Sequence, residues 1–139
     1  MQAQDLFFED ISIGESASFE RTITKKDVAN FAELSGDLNP LHTDERYAST
    51  TRFKRPIVHG MFLGALCSRF VGMYLPGKRC VYIGQTLSFK NPVFVGDTVK
   101  VSGIVVSKSA STHLLTIRMT ISIAEKVAAE GESTVQMLK

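Results

Sequence analysis

Gly60-Met61-Phe62-Leu63-Gly64-Ala65-Leu66-Cys67-Ser68-Arg69-Phe70-Val71-Gly72-Met73-Tyr74 contains the longest apolar stretch of the chain, Met61 to Leu66. At helical spacing, Met61, Phe62, Leu63, Ala65, Leu66, Phe70, Val71 and Met73 cover nearly the whole circumference. A helix apolar all round belongs in a core. Pro76-Gly77 ends it. From Val81 onward the period changes to two. Val81, Ile83, Gln85, Leu87 and Phe89 share one face. So do Val99, Val101 and Val105, then Leu115, Ile117, Met119, Ile121 and Ile123, then Val135 and Met137. Turn signals separate these runs at Asn91-Pro92, Gly96-Asp97, Lys108 to Thr112 and Glu130-Gly131-Glu132. Such alternation predicts consecutive antiparallel strands with one buried face. The simplest assembly is an α+β fold in which a curved antiparallel sheet wraps around one buried helix.

The part before Gly60 is mixed. Glu15 to Ile23 reads as a strand, with Ala17, Phe19, Arg21 and Ile23 on one face. Thr24 is an N-cap candidate, followed three residues later by Asp27, a weaker form of the capping box. Val28, Phe31, Ala32 and Leu34 then fall near helical spacing, and Gly36 suits the position just past the helix end. Thr43 with Asp44 and Glu45 starts a second short helix, its acids placed where the helix dipole favours them.

The 139 residues suit one domain, 1–139, and no linker or repeat divides them. A hydrophobic share of 44% and a charged share of 22% argue against wholesale disorder. A net charge of +2 is too mild to argue for nucleic-acid binding. The two cysteines, Cys67 and Cys80, lie in no metal-ligand spacing, so neither structural zinc nor a disulfide framework is expected. Met1 to Asp10 carries acids and no basic residue, the opposite of a targeting segment. Met61 to Leu66 is far too short to span a bilayer. The expectation is a soluble cytoplasmic protein without a membrane or nucleic-acid partner.

Two short stretches carry chemistry. In Asp37-Leu38-Asn39-Pro40-Leu41-His42, the acid and the imidazole are five apart with a proline between them, so they cannot pair on a regular helix face. Pro40 pushes Asn39 out of the α region, and the segment turns. A turn can bring the pair around one water, and histidine titrates in the range useful for proton transfer. On spacing alone the plainer alternative, an Asx turn with a surface His42, is favoured. In Arg55-Pro56-Ile57-Val58-His59-Gly60, the last residue opens the apolar helix, where backbone N–H groups lack helical partners. Gly60 there could present an N–H to a developing oxyanion, or serve only close helix–sheet packing. His59 reads as a structural histidine near the helix start.

These two stretches together, with Leu75-Pro76-Gly77 and Tyr82-Ile83-Gly84-Gln85-Thr86-Leu87-Ser88-Phe89-Lys90-Asn91-Pro92-Val93-Phe94-Val95-Gly96-Asp97, resemble the (R)-specific enoyl-CoA hydratases of the MaoC-like, hotdog-fold group. The likeness runs from about Thr24 to Thr98. It implies a hotdog fold, reversible hydration of trans-2-enoyl-CoA to a (3R)-hydroxyacyl-CoA, and no cofactor or metal. It implies that Asp37 and His42 hold the catalytic water, that the Gly60 N–H binds the thioester oxygen, and that Ser68 supports the acid. For Ser68 a bond back to the Gly64 carbonyl is the plainer alternative. Asn39 shapes the loop or contacts the site, and Met61 and Phe62 line the acyl pocket. Arg52, Lys54, Arg55 and Arg79, with Lys78 and Lys90, are cations available to coenzyme A phosphates. The family is usually dimeric, which implies a homodimer whose site uses both subunits.

Three rivals remain open at this point. A 3-hydroxyacyl-ACP dehydratase would keep the chemistry and take acyl carrier protein as partner. A hotdog thioesterase would need a carboxylate on the central helix, and Gly60 to Leu75 contains no Asp or Glu. A non-catalytic acyl-thioester-binding subunit would ordinarily lack the acid or the histidine, and both are present.

Overall fold

Thr24 begins the first helix as its hydroxyl permits. Its side chain accepts from the Asp27 N–H, and the Asp27 carboxylate accepts from the Thr24 N–H, so the shorter acid still completes the capping box. Helix α1 (Lys25–Ser35) runs from there to Gly36, whose φ of +77° places it in the left-handed region that closes helices. Asn39 caps α2 (Pro40–Thr43) by accepting from Leu41 N–H, with Pro40 in the first turn. Asp44 caps α3 (Glu45–Ser49) through Tyr47 N–H. The start expected at Thr43 is therefore one residue early: the Thr43 hydroxyl donates back to the Leu38 and Asn39 carbonyls.

The computed structural model describes residues 1–139. After the longest helix, α4 (Gly60–Met73), the chain is almost wholly extended. Strands β1 (Ser16–Thr22), β2 (Cys80–Gln85), β3 (Ser88–Phe89), β4 (Thr98–Ser109), β5 (Leu114–Ile123) and β6 (Lys126–Met137) form one sheet. Its order is β1-β4-β5-β6-β2, with β3 also on β6, and every pairing is antiparallel. Register shifts at Val105/Ser107, Ile121/Ser122 and Tyr82/Gly84 add local twist. α4 packs against β4 and β6. This is the expected α+β architecture of the hotdog fold.

The core joins Leu63, Leu66, Cys67, Phe70 and Val71 of α4 to the inward valines, isoleucines and leucines of β4, β5 and β6. Phe70 is fully buried, and truncating such a ring to alanine costs about 3–5 kcal/mol. No helix is long and apolar enough to cross a membrane.

Four expectations need correction. α4 is not buried all round: Met61, Ala65 and Ser68 lie exposed, because the sheet covers only one side of it. In β2 the faces are reversed. Cys80 and Tyr82 turn toward the core while Val81 and Ile83, 48% and 55% exposed, face out from an edge strand. Leu34 projects from the end of α1, away from buried Val28 and Ala32. Glu130-Gly131-Glu132 is no turn but the middle of β6, and the reversal comes at Ala124, with φ +51°. Gly131 is needed there because a Cβ would overlap the Thr86 carbonyl, where the link from β2 to β3 crosses and Thr86 N–H donates to the Glu132 carbonyl at 2.9 Å.

Candidate active site

Three segments meet at the N-terminus of α4: the loop after α1, α2, and residues 55–60. The last is pinned by backbone bonds, Ile57 N–H to the Leu41 carbonyl at 3.2 Å and Val58 N–H to the Val93 carbonyl at 2.7 Å. His42 Nδ1 lies 2.7 Å from the Ile57 carbonyl. A carbonyl oxygen only accepts, so Nδ1 carries a proton, and in the neutral ring the lone pair is on Nε2. That Nε2 faces Asp37 Oδ2 at 3.9 Å. The other carboxylate oxygen accepts from Asn39 N–H at 3.2 Å, and Asp37 N–H donates to Ser35 Oγ at 3.1 Å. The His42 side chain is only 12% exposed and that of Asp37 51%, so the pair has one sheltered and one open side.

The separation exceeds a direct hydrogen bond. The gap is wide enough for one water about 2.8 Å from each group, which would donate one hydrogen to Nε2 and the other to the carboxylate and turn its lone pairs outward.

Gly60 opens α4, and the preceding His59 supplies no side-chain cap, so the first N–H groups of the helix are left for another acceptor. A Cβ on Gly60 would lie 2.8 Å from Cζ of Phe89 on β3. The glycine therefore admits the Phe89 ring against the backbone, a packing need alongside any catalytic one. His59 is 1% exposed; its Nε2 lies 3.0 Å from the Asp37 carbonyl and its ring stacks on that of His42.

Two cavities flank this point. One, of about 390 Å³, is lined by His42, Lys25, Lys54, Arg55, Val28 and Val95. The other, of about 280 Å³, is lined by Gly60, Leu63, Phe89, Val93, Arg52 and Lys90. Lys54 sits at φ +65°, an uncommon backbone state for a residue with a Cβ. The Arg55 guanidinium lies 3.9 Å from the centre of the Phe94 ring.

The remaining candidates scatter. Asn39 shapes the loop by capping α2. Phe62 packs edge-on to Phe31, and Met61 is 66% exposed. Ser68 lies eight residues along α4 from Gly60, about 12 Å at 1.5 Å per residue, exposed and without a bond to Asp37. Arg79 and Lys78 both pair with Asp5, and Arg79 also covers the Phe7 ring. They clamp the N-terminal segment and are not brought to the site. Lys25, Phe89 and Phe94 escaped sequence reasoning. Lys25 sits among ordinary helix-surface charges, Phe89 reads as an alternating strand residue, and Phe94 enters only as part of the Tyr82 to Asp97 stretch that carries the resemblance.

Donor atoms of Asp37, His42 and His59 lie within 4.8 Å of one another. They fit a metal ion poorly. Imidazole lone pairs lie in the ring plane, and the two rings are stacked, so their nitrogens do not converge on one point. His59 Nε2–H is also taken by the Asp37 carbonyl. The cluster suits proton handling better than ligation.

Comparison with known proteins agrees with this architecture. The family model described as MaoC like domain matches residues 10–127. An (R)-specific enoyl-CoA hydratase of Rhodospirillum rubrum is 44% identical over 140 residues, covering 99% of this chain and 97% of the relative. A 3-hydroxybutyryl-CoA dehydratase of Methylorubrum extorquens is 37% identical over 134 residues, with 96% and 85% coverage. Among solved structures, an (R)-hydratase from A. caviae involved in PHA biosynthesis superposes with a TM-score of 0.89 at 42% identity, covering 93% of this chain and 98% of that one. An unliganded R-hydratase from Pseudomonas aeruginosa gives 0.94 at 36% identity, with 100% and 90% coverage.

Proposed function

Because the chain belongs to the MaoC-like domain family, we propose that it is a hydro-lyase that adds water to trans-2-enoyl-CoA, giving (3R)-hydroxyacyl-CoA, and catalyses the reverse dehydration. The similarity to (R)-specific hydratases over the whole chain supports this reading. The observation that carries it is the 3.9 Å opening between Asp37 Oδ2 and His42 Nε2 beside the uncapped start of α4.

The reaction follows from the parts. Water held in the opening loses a proton to the pair, and its oxygen bonds to the β-carbon. The C=C electron pair moves toward the carbonyl, so the thioester oxygen gains charge. The Gly60 N–H and the helix dipole stabilise that charge. The pair then delivers one proton to the α-carbon, which restores both groups. His42 is built to take the water's proton, because its bond to Ile57 leaves Nε2 bare.

The cation-lined cavity reaches His42, and the one lined by Leu63, Phe89 and Val93 reaches Gly60. A thioester bridging them would extend its coenzyme A phosphates toward Lys25, Lys54 and Arg55 and its acyl chain toward Leu63 and Phe89. A homodimer accounts for what one chain leaves open: the exposed Met61, Ala65 and Ser68 face of α4 and the apolar edge strand β2. In that assembly Ser68, which makes no bond to Asp37 within one chain, would support the acid across the interface.

The test is the ultraviolet absorbance of crotonyl-CoA with wild-type protein and with Asp37→Ala. Loss of the conjugated signal in the wild type alone, with (3R)-hydroxybutyryl-CoA as product, is expected. A wild type inert on crotonyl, longer enoyl and carrier-protein thioesters would overturn the reading.

A further inference from the structure

His59 has more contacts with the site than a structural histidine at a helix start requires. Its ring is 1% exposed. Its Nε2 lies 3.0 Å from the backbone carbonyl of Asp37, so Nε2 is the protonated nitrogen. Its face lies on the face of His42, centroids 3.9 Å apart and 26° from parallel, and Phe31 meets it edge-on at 5.0 Å. The other nitrogen, Nδ1, is buried with no partner. A buried polar atom without a partner is unfavourable, and a phenylalanine would fill the same space without one. The imidazole therefore needs a reason beyond volume, and the bond to Asp37 supplies it.

We propose that His59 is the positioning residue of the site, one ring that sets both members of the water-holding pair and ties them to the backbone donor at Gly60. Asp37 comes from the loop after α1 and His42 from α2, and no direct bond joins their side chains. His59 touches each: Asp37 through its carbonyl, His42 through its ring face. It also immediately precedes Gly60. A shift of His59 would move the acid, the base and the N–H donor relative to one another, and misplacement of about 1 Å can cost about 100-fold in rate.

This inference rests on the hydratase reading, and its test separates the two. Steady-state hydration of crotonyl-CoA is compared for wild type, His59→Ala, His59→Gln and His59→Phe, with thermal unfolding of each. Glutamine keeps an N–H near the Nε2 position; phenylalanine keeps the stacking face. His59→Ala is expected to lower kcat by roughly 10–100-fold with KM nearly unchanged. Glutamine and phenylalanine should each recover part of the loss. A merely structural histidine would lower thermal stability and leave kcat of the folded protein intact, and that outcome overturns the proposal. If alanine prevents folding, wild-type kcat in both other variants overturns it equally. Should the wild type prove inert, the ring proton signals of the three histidines read the stack directly. A His42 signal that moves in His59→Gln upholds the contact while the hydratase reading fails; one that does not move overturns the proposal.

Discussion

Asp37 Oδ2 and His42 Nε2 face each other at 3.9 Å without bonding directly. Each is held by backbone instead, Asp37 by Asn39 N–H and His42 by the Ile57 carbonyl. Removing either side chain should leave the fold intact, since neither belongs to the buried core. Asp37→Ala and His42→Ala should each lower kcat by about 10²–10⁴-fold, the usual contribution of general acid–base groups. Enoyl-CoA absorbance gives the rate and thermal unfolding the stability. Near wild-type turnover in either variant would remove that residue from the mechanism.

Gly60 and Phe89 should be coupled. A Cβ at 60 would meet the tip of the Phe89 ring, which is itself half exposed and able to swing. Gly60→Ala alone should displace the ring and reduce turnover. In a Phe89→Ala background the added methyl should no longer meet the ring and should do much less. The four proteins form a double-mutant cycle in stability and in kcat. Strict additivity would mean that the contact carries no energy.

Much of this arrangement was legible in the sequence because its causes are local. Thr24 with Asp27, Gly36, and Asn39-Pro40 each set backbone geometry within a few residues, and the structure places them as expected. The alternation of Val99, Val101, Leu115, Ile117, Met119 and Val135 named inward faces correctly, because those strands have sheet on both sides. Val81 and Ile83 misled for the converse reason: β2 is an edge, and its outward apolar residues look the same as inward ones until a neighbour is known. Gly131 read as a turn because glycine's need was for a crossing strand distant in sequence. The closeness of Asp37, His42 and His59 depends on residues 55–60 bonding to Leu41 and Val93, and such long-range pairing leaves no periodic mark.

Arg55 offers a test of the cation-lined cavity. Its guanidinium rests on Phe94 at 3.9 Å and so is pre-oriented despite its exposure. Arg55→Ala should raise KM for crotonyl-CoA roughly three- to tenfold, modest because solvent screens exposed charges. A pantetheine thioester without the nucleotide phosphates should show no such change. Equal effects on both substrates would place the phosphates elsewhere.

The thiols should be inert in the native state. Burial pushes the Cys67 thiol up to about 11 and raises that of Cys80, whose Sγ also donates to the Gly77 carbonyl at 3.3 Å. The thiolate is the reactive form, so at neutral pH a maleimide should label neither residue quickly, and both after unfolding. Rapid native labelling of Cys67 would require an opening of the core beside α4.

Asp27 links pH to stability. Burial alone would raise its pKa, but hydrogen bonds from the Thr24 backbone, the Arg21 guanidinium and the Thr24 hydroxyl outweigh that effect and hold the carboxyl below its ordinary value of 3.8. The Arg21 contact is 2.6 Å. A carboxylate whose folded pKa is depressed favours the folded state once pH exceeds its unfolded pKa, and that stability is lost as pH falls through the lower folded value. Asp27→Ala should therefore cost about 1 kcal/mol at neutral pH, the usual effect of losing a cap interaction. The difference from wild type should be constant from pH 7 to 5 and shrink below about pH 4. Urea midpoints measured across that range check it. A difference that stays the same at pH 3 would mean that the side chain acts by shape and not by charge.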